Sequence, residues 1–201
     1  MFLNNAQSQA ADVNSVKATI VKHAIEMGVD PAIALSIART ESGFRHEARS
    51  SHGAVGVFQL MPSTARRMGY NPYLLNENIK AGITYYKKMY NMFGSVELAL
   101  AAYNAGPGNV KKYNAVPPFG ETRRFVSKIM SDVNRQKVNP DPAVVKAKQQ
   151  GMYTAQKPKA VTPKATVNKP ASKVIDTKDL QVEVLEEKPI ELKLETLTVA
   201  I

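Results

Sequence analysis

The feature that most constrains this chain is the segment DPAIALSIARTE, residues 30–41. Ala32, Ile33, Ala34, Leu35, Ile37 and Ala38 leave a helix here with almost no polar face. A helix that is apolar all round has to be buried. Asp30-Pro31 in front of it reads as an N-cap followed by proline at the first helical position. A helix is therefore predicted over Ala32–Thr40, enclosed by others, with the carboxylate of Glu41 delivered next to the core. Glutamate rarely occupies such a place without a partner.

The surrounding periodicity is helical as well. Val13, Val16, Ile20, Ala24 and Met27 fall at steps of three and four, with Asn14 or Ser15 as candidate cap and Gly28 as stop. Ile79, Ile83, Tyr86, Tyr90 and Phe93 mark another helix ending at Gly94. Ser95 caps the next, VELALAAYNA, which Gly106-Pro107-Gly108 terminates. Short helices are predicted at 62–69 and Asn109–Tyr113, and a last long one over Glu121–Gln136. Between Phe44 and Val57 the pattern breaks into a loop or short ribbon punctuated by Gly53 and Gly56. The fold class read from this is all-α, and residues 1–138 form its domain.

Composition changes after Val138. Residues 139–175 hold five prolines and seven lysines against one aspartate, which reads as a flexible linker. Residues 176–201 are acidic and near-alternating (Val182, Val184, Ile190, Leu192, Leu194), which reads as a tail that pairs as strand with a partner. The chain carries a formal charge of +10, most of it before residue 139. Such a field attracts nucleic acid, an anionic membrane face or a cell wall, and equally serves solubility. With no cysteine, thiol catalysis and disulfides are excluded. His23, His46 and His52 lack metal-ligand spacing, so no metal or cofactor is expected, and no phosphate-cradling glycine loop is present. No apolar run is long enough to span a bilayer. The opening MFLNNAQSQAADVNS lacks a basic start and an apolar core, so synthesis in a bacterial cytoplasm without an export signal is expected.

Chemistry centres on Glu41. A carboxylic acid donates a proton to a glycosidic oxygen at neutral pH only if an apolar site has raised its pKa. The apolar helix before Glu41, with Phe44, Val57, Phe58 and Met61 nearby in sequence, offers such a site; an ordinary solvated glutamate at a helix end is the competing reading. Most glycosidases use two carboxylates. Between residues 32 and 120 the others are Glu77 and Glu97 in helix first turns and Glu47 in a polar run, so a one-acid mechanism is the more economical. Tyr103 and Asn104 close a helix and could stack on and hydrogen-bond a sugar, although Asn-Ala-Gly is also a good helix terminus. Ser50, Gln59 and the loop backbone are further polar candidates.

ESGF at 41–44, GAVGVFQLMPSTA at 53–65, ALAAYNAGPGNV at 99–110 and PFGETRRFV at 118–126 occur in one order. Together they closely resemble the soluble lytic transglycosylase family, whose catalytic domain is related to goose-type lysozyme. The resemblance spans roughly residues 13–136 and implies a lysozyme-like helical domain with a substrate groove. It implies that Glu41 is the general acid and then the base, cleaving between N-acetylmuramic acid and N-acetylglucosamine of peptidoglycan with closure of a 1,6-anhydro ring. Ser50, Gln59, Met61, Tyr103 and Asn104 match groove positions, and the backbone at Val57 and Phe58 should border the sugar. Two positions depart from the family pattern. Val57-Phe58 stands where Leu-Met is usual, and Phe125 replaces a tyrosine whose hydroxyl approaches the acid. The missing signal suggests a bacteriophage protein, with the tail held by other virion proteins; no specific nucleic-acid partner is expected. A hydrolysing muramidase and a non-catalytic, glycan-binding virion protein are the alternatives.

Overall fold

A computed structural model of the chain describes residues 3–152. Eight helices make up the described part: α1 Leu3–Glu26, α2 Pro31–Glu41, α3 Pro62–Arg67, α4 Leu75–Phe93, α5 Val96–Ala105, α6 Pro107–Tyr113, α7 Gly120–Val138 and α8 Pro142–Gln149. The all-α expectation holds for these residues. No helix among them is long and apolar enough to cross a membrane.

The burial predicted for α2 is met. Asp30 accepts a hydrogen bond from Ala32 N, Pro31 occupies the first turn, and residues 33–38 are buried. α2 lies between α1 and α7, while α5 packs on α4, α6 and α7. Ala99, Ala101 and Ala102 are fully buried. Side chains this small let neighbouring helices approach closely. Ile20, Leu35, Ile37, Ile79, Ile83, Leu100 and Ile129 fill the space between the helices.

Two sequence expectations are corrected. α1 begins at Leu3, so Asn14 and Ser15 are exposed residues within it and not its cap. The folded unit also does not stop at 138. Asp141 caps α8 through Ala143 N, Pro142 begins the helix, and Val144 and Ala147 are buried where α8 meets α1. This is the same Asp-Pro signal that starts α2, hidden at 141–142 by the lysine- and proline-rich composition around it. The rest of the expected linker, from 153, and the tail at 176–201 lie outside the described residues.

The 44–61 segment is a compact loop with two isolated antiparallel bridges, Arg49 to Val55 and Val55 to Leu60. Its Phe58 ring is fully buried and packs on Gly82 of α4, where an added Cβ would meet the ring at 2.2 Å. Gly82→Ala is accordingly expected to destabilise the domain by about 1–3 kcal/mol through overpacking, despite the ~1 kcal/mol that alanine contributes to a helix. Denaturant unfolding of the pure variant checks this.

Candidate active site

α2 ends abruptly at Glu41. The Ser42 backbone N–H closes on Ala38 O and Arg39 O, and Gly43 (φ 62°) and Phe44 (φ 70°) then reverse the chain in the left-handed region. Phenylalanine adopts that region only when its surroundings hold it there. Here the ring is buried under two cations, with Lys17 Nζ 5.1 Å and the Arg39 guanidinium 5.7 Å from its centroid. Those cations are themselves fixed. Arg39 pairs with Asp132 of α7 at 2.9 Å and with Asp141 at 3.1 Å, and Lys17 pairs with Asp141 at 3.0 Å. Ser36 Oγ donates to Asp132 at 2.8 Å. The helix that carries Glu41 is thus bolted from behind to α1, α7 and the start of α8.

Glu41 is partly exposed, and among the described residues it makes no hydrogen bond or ion pair. Loss of solvent around the carboxyl, followed by the negative charge of Glu121, raises its pKa from 4.5 to about 8. At neutral pH it therefore carries a proton, which a solvated helix-end glutamate would not.

Tyr103 acts on it directly, and Phe125, Tyr85 and Ser42 fix the surroundings. Tyr103 on α5 is buried and donates its hydroxyl to Phe58 O at 2.8 Å. Burial first, then the charges of Glu41 and Tyr85, push its pKa well up, so it remains a neutral donor. Phe125 stacks against the Tyr103 ring at 6.3 Å and 10°, and Tyr85 meets it at 5.2 Å. Phe125 thus supplies an apolar surface and no hydroxyl. Ser42 Oγ donates to Val57 O at 2.8 Å, joining the end of α2 to the loop.

The expected site residues fall into distinct roles. Tyr103 is coupled electrostatically to Glu41. Asn104 follows it, half-buried, and accepts from Thr122 Oγ1 at 2.7 Å; its amide N–H groups have no partner among the described residues. Val57 and Phe58 are 0% exposed, so they belong to the core, and the backbone expected to border the sugar is instead bonded to Ser42, Asn78 and Tyr103. Gln59 (φ 43°) donates from Nε2 to Ala48 O and Gly56 O, stapling the loop, and Ser50 Oγ accepts from Ala54 N in its turn. Met61 is 44% exposed at the start of α3. Glu47, expected to be solvated, is exposed.

Two participants escaped the sequence reading. Glu121 lies just past residue 120, within the PFGETRRFV motif, where the first turn of α7 begins. Asn78 is fully buried on α4. Its signal was a polar residue four positions before Gly82, on a helix face read only through its large apolar residues. Two concavities elsewhere, of about 430 and 550 Å³, are lined by α1 residues such as Thr19 and Lys22 and contain no carboxylate. Neither can supply an acid.

A desolvated glutamate that holds its proton at neutral pH, with a buried tyrosine acting on it, can serve as a general acid. Residues 18–126 match the Transglycosylase SLT domain family, and the chain belongs to it. It is 31% identical to a transglycosylase of Enterobacteria phage PRD1 over 130 residues, 64% of this chain and 47% of that protein. It is 34% identical to the soluble lytic murein transglycosylase of Escherichia coli K12, over 51% of this chain and 20% of that one. The chain therefore spans less than half the length of these relatives. Among solved structures, an inactive glutamate-to-glutamine mutant of the lytic transglycosylase Slt from Pseudomonas aeruginosa superposes with a TM-score of 0.55 at 32% identity, covering 63% of this chain and 25% of that one. A 70-kDa soluble lytic transglycosylase in complex with bulgecin A gives 0.54 at 27% identity, with the same coverage.

Proposed function

We propose that the protein is a peptidoglycan lytic transglycosylase that breaks the β-1,4 bond between N-acetylmuramic acid and N-acetylglucosamine without water. The observation that carries this is the Glu41 carboxyl, largely desolvated, unpaired among the described residues and protonated at neutral pH. Protonated Glu41 gives its proton to the glycosidic oxygen, which leaves as the hydroxyl of the departing sugar. The resulting carboxylate takes the proton of the muramyl C6 hydroxyl, whose oxygen bonds to C1 and closes the 1,6-anhydro ring. Proton and atoms balance, and Glu41 returns to its starting state.

The glycan strand lies in a groove over Glu41, with the Asn104 amide and the free hydroxyl proton of Ser50 as donors. Gln59 Oε1 and Met61 form its rim, Tyr103 walls the acid, and the buried Val57–Phe58 backbone lies behind it. Names of the relatives support the substrate class: murein for the Escherichia coli protein, and an inactive glutamate-to-glutamine mutant for the Pseudomonas one. A relative encoded by a phage supports a role in breaching the wall during infection, with the protein carried on the virion and acting in the periplasm or wall. Other virion proteins would then hold residues 176–201. Detection in lysate supernatant but never in purified particles would refute the virion assignment.

Glu121 favours a second reading. Its charge reaches Glu41, so a second carboxylate is available to activate water as in a hydrolysing muramidase. Mass spectrometry of digested sacculi decides between them. The transglycosylase yields anhydro-muropeptides, lighter by one water; reducing-end products alone would establish hydrolysis.

A further inference from the structure

Asn78 is 0% exposed, yet two of its three side-chain hydrogen bonds run to the catalytic loop. Its Nδ2 donates to Val55 O and Pro72 O, both at 3.0 Å, and its Oδ1 accepts from Phe58 N at 3.0 Å. The Val57–Phe58 peptide is consequently held at both polar ends: its C=O by Ser42 Oγ from the end of α2, its N–H by Asn78 from α4. Four residues along α4, Gly82 seats the Phe58 ring. Gly56 completes the fit. It has φ 80°, and a Cβ there would lie 2.3 Å from Asn78 Nδ2, so the loop backbone lies directly against the amide.

Holding residue 58 in this way aims its carbonyl at Tyr103, which donates its hydroxyl to it at 2.8 Å. That hydroxyl is close enough to Glu41 for the two to interact electrostatically. We propose that Asn78 is a positioning residue, which fixes the Val57–Phe58 peptide so that the Tyr103 hydroxyl stays on Phe58 O and leaves the Glu41 carboxyl without a donor. The consequence follows from charge. A hydrogen bond to the carboxylate favours the ionised form, and an acid catalyst so supported gives up its standing proton. The groups facing Glu41 are Glu121 from α7 and Tyr103 from α5, with Tyr85 of α4 acting on Tyr103; of these, only Tyr103 depends on Asn78.

This rests on the assignment of Glu41 as the acid, so the deciding measurement is independent of turnover: the titration midpoint of the Glu41 carboxyl, followed by carbon NMR in the full chain. In Asn78→Ala the midpoint is expected to fall by about one pH unit, the tenfold change typical of one new hydrogen bond to a charged group. The double variant Asn78→Ala/Tyr103→Phe should restore it. In activity, Asn78→Ala should lower kcat by about 10²-fold with KM within about threefold, since misplacement and not binding is at fault. A purely structural role would cost stability and leave the midpoint alone, and an unmoved midpoint in folded Asn78→Ala overturns the proposal. Should that variant not fold, Tyr103→Phe decides by itself. Its midpoint should match the intact protein, and a rise would show that the hydroxyl already bonds to Glu41. Absence of anhydro products from the intact protein would overturn the proposed function without touching this result.

Discussion

Glu41→Gln is expected to lose about 10²–10⁴-fold or more in turnover while still binding glycan strands, because the amide keeps the shape of the side chain and has no proton to give. Near-normal release of anhydro-muropeptides by the variant would refute the assignment. The pH profile of the intact protein should follow from the same group. The active form is the protonated one, so kcat is expected to hold near neutrality and fall as pH rises through about 8. Stability should respond in step. Folding raises this carboxyl from 4.5 to about 8, so the native state binds more protons than the unfolded chain between those values. The domain therefore loses stability as pH climbs across that interval. Gln cannot ionise, so the inactive variant should be more stable than the parent at pH 9, on the order of 2–4 kcal/mol after allowing for partial exposure, and equal to it near pH 4. Chemical denaturation at the two pH values checks this, and equal stability at both would show the carboxyl to be well solvated.

That trade of stability for a proton explains what could be read in advance and what could not. Local signals were enough for the helices: Asp30-Pro31, Gly94-Ser95 and the apolar positions of α2 and α4 act within a few residues of one another. They also singled out Glu41, because an all-apolar helix leaves its last residue beside the core wherever the rest of the chain goes. Val57 and Phe58 show the limit. Periodicity says nothing of which way a loop residue turns, and packing, here Gly82 under the Phe58 ring, puts it in the core. Asn78 and Glu121 act on the site from 37 and 80 residues beyond Glu41, distances over which periodicity says nothing. Ser50 and Gln59, read as polar contacts, hold loop turns with the atoms whose bonds are seen, leaving only their remaining donor or acceptor for a ligand.

The second large effect concerns where the catalytic unit ends. The match to the family stops at residue 126, and composition alone puts the boundary at 138, yet both cations packed against Phe44 pair with Asp141, beyond both. Asp141, buried at 7% exposure, binds Lys17 and Arg39 together and caps α8. A chain cut after Val138 loses this carboxylate and exposes the α1 face that Val144 and Ala147 cover. Removing one member of a buried charge cluster strands the others, at a cost of about 3–5 kcal/mol. Asp132 still holds Arg39, but Lys17 has no other acidic partner among the described residues. Because Arg39 and Phe44 flank Glu41 in sequence, the loss should reach activity as well as the melting midpoint. A chain cut after Met152 keeps the whole cluster and is expected to melt and cut as the full chain does. Asp141→Asn separates the contributions: it preserves the Ala143 cap acceptor and the α8 contacts while removing the charge, so it should lie between the two truncations in thermal unfolding. Equal stability of the chains ending at 138 and 152 would mean that α8 contributes nothing to the fold, and the ion-pair clasp behind Glu41 would then have no role in holding the acid.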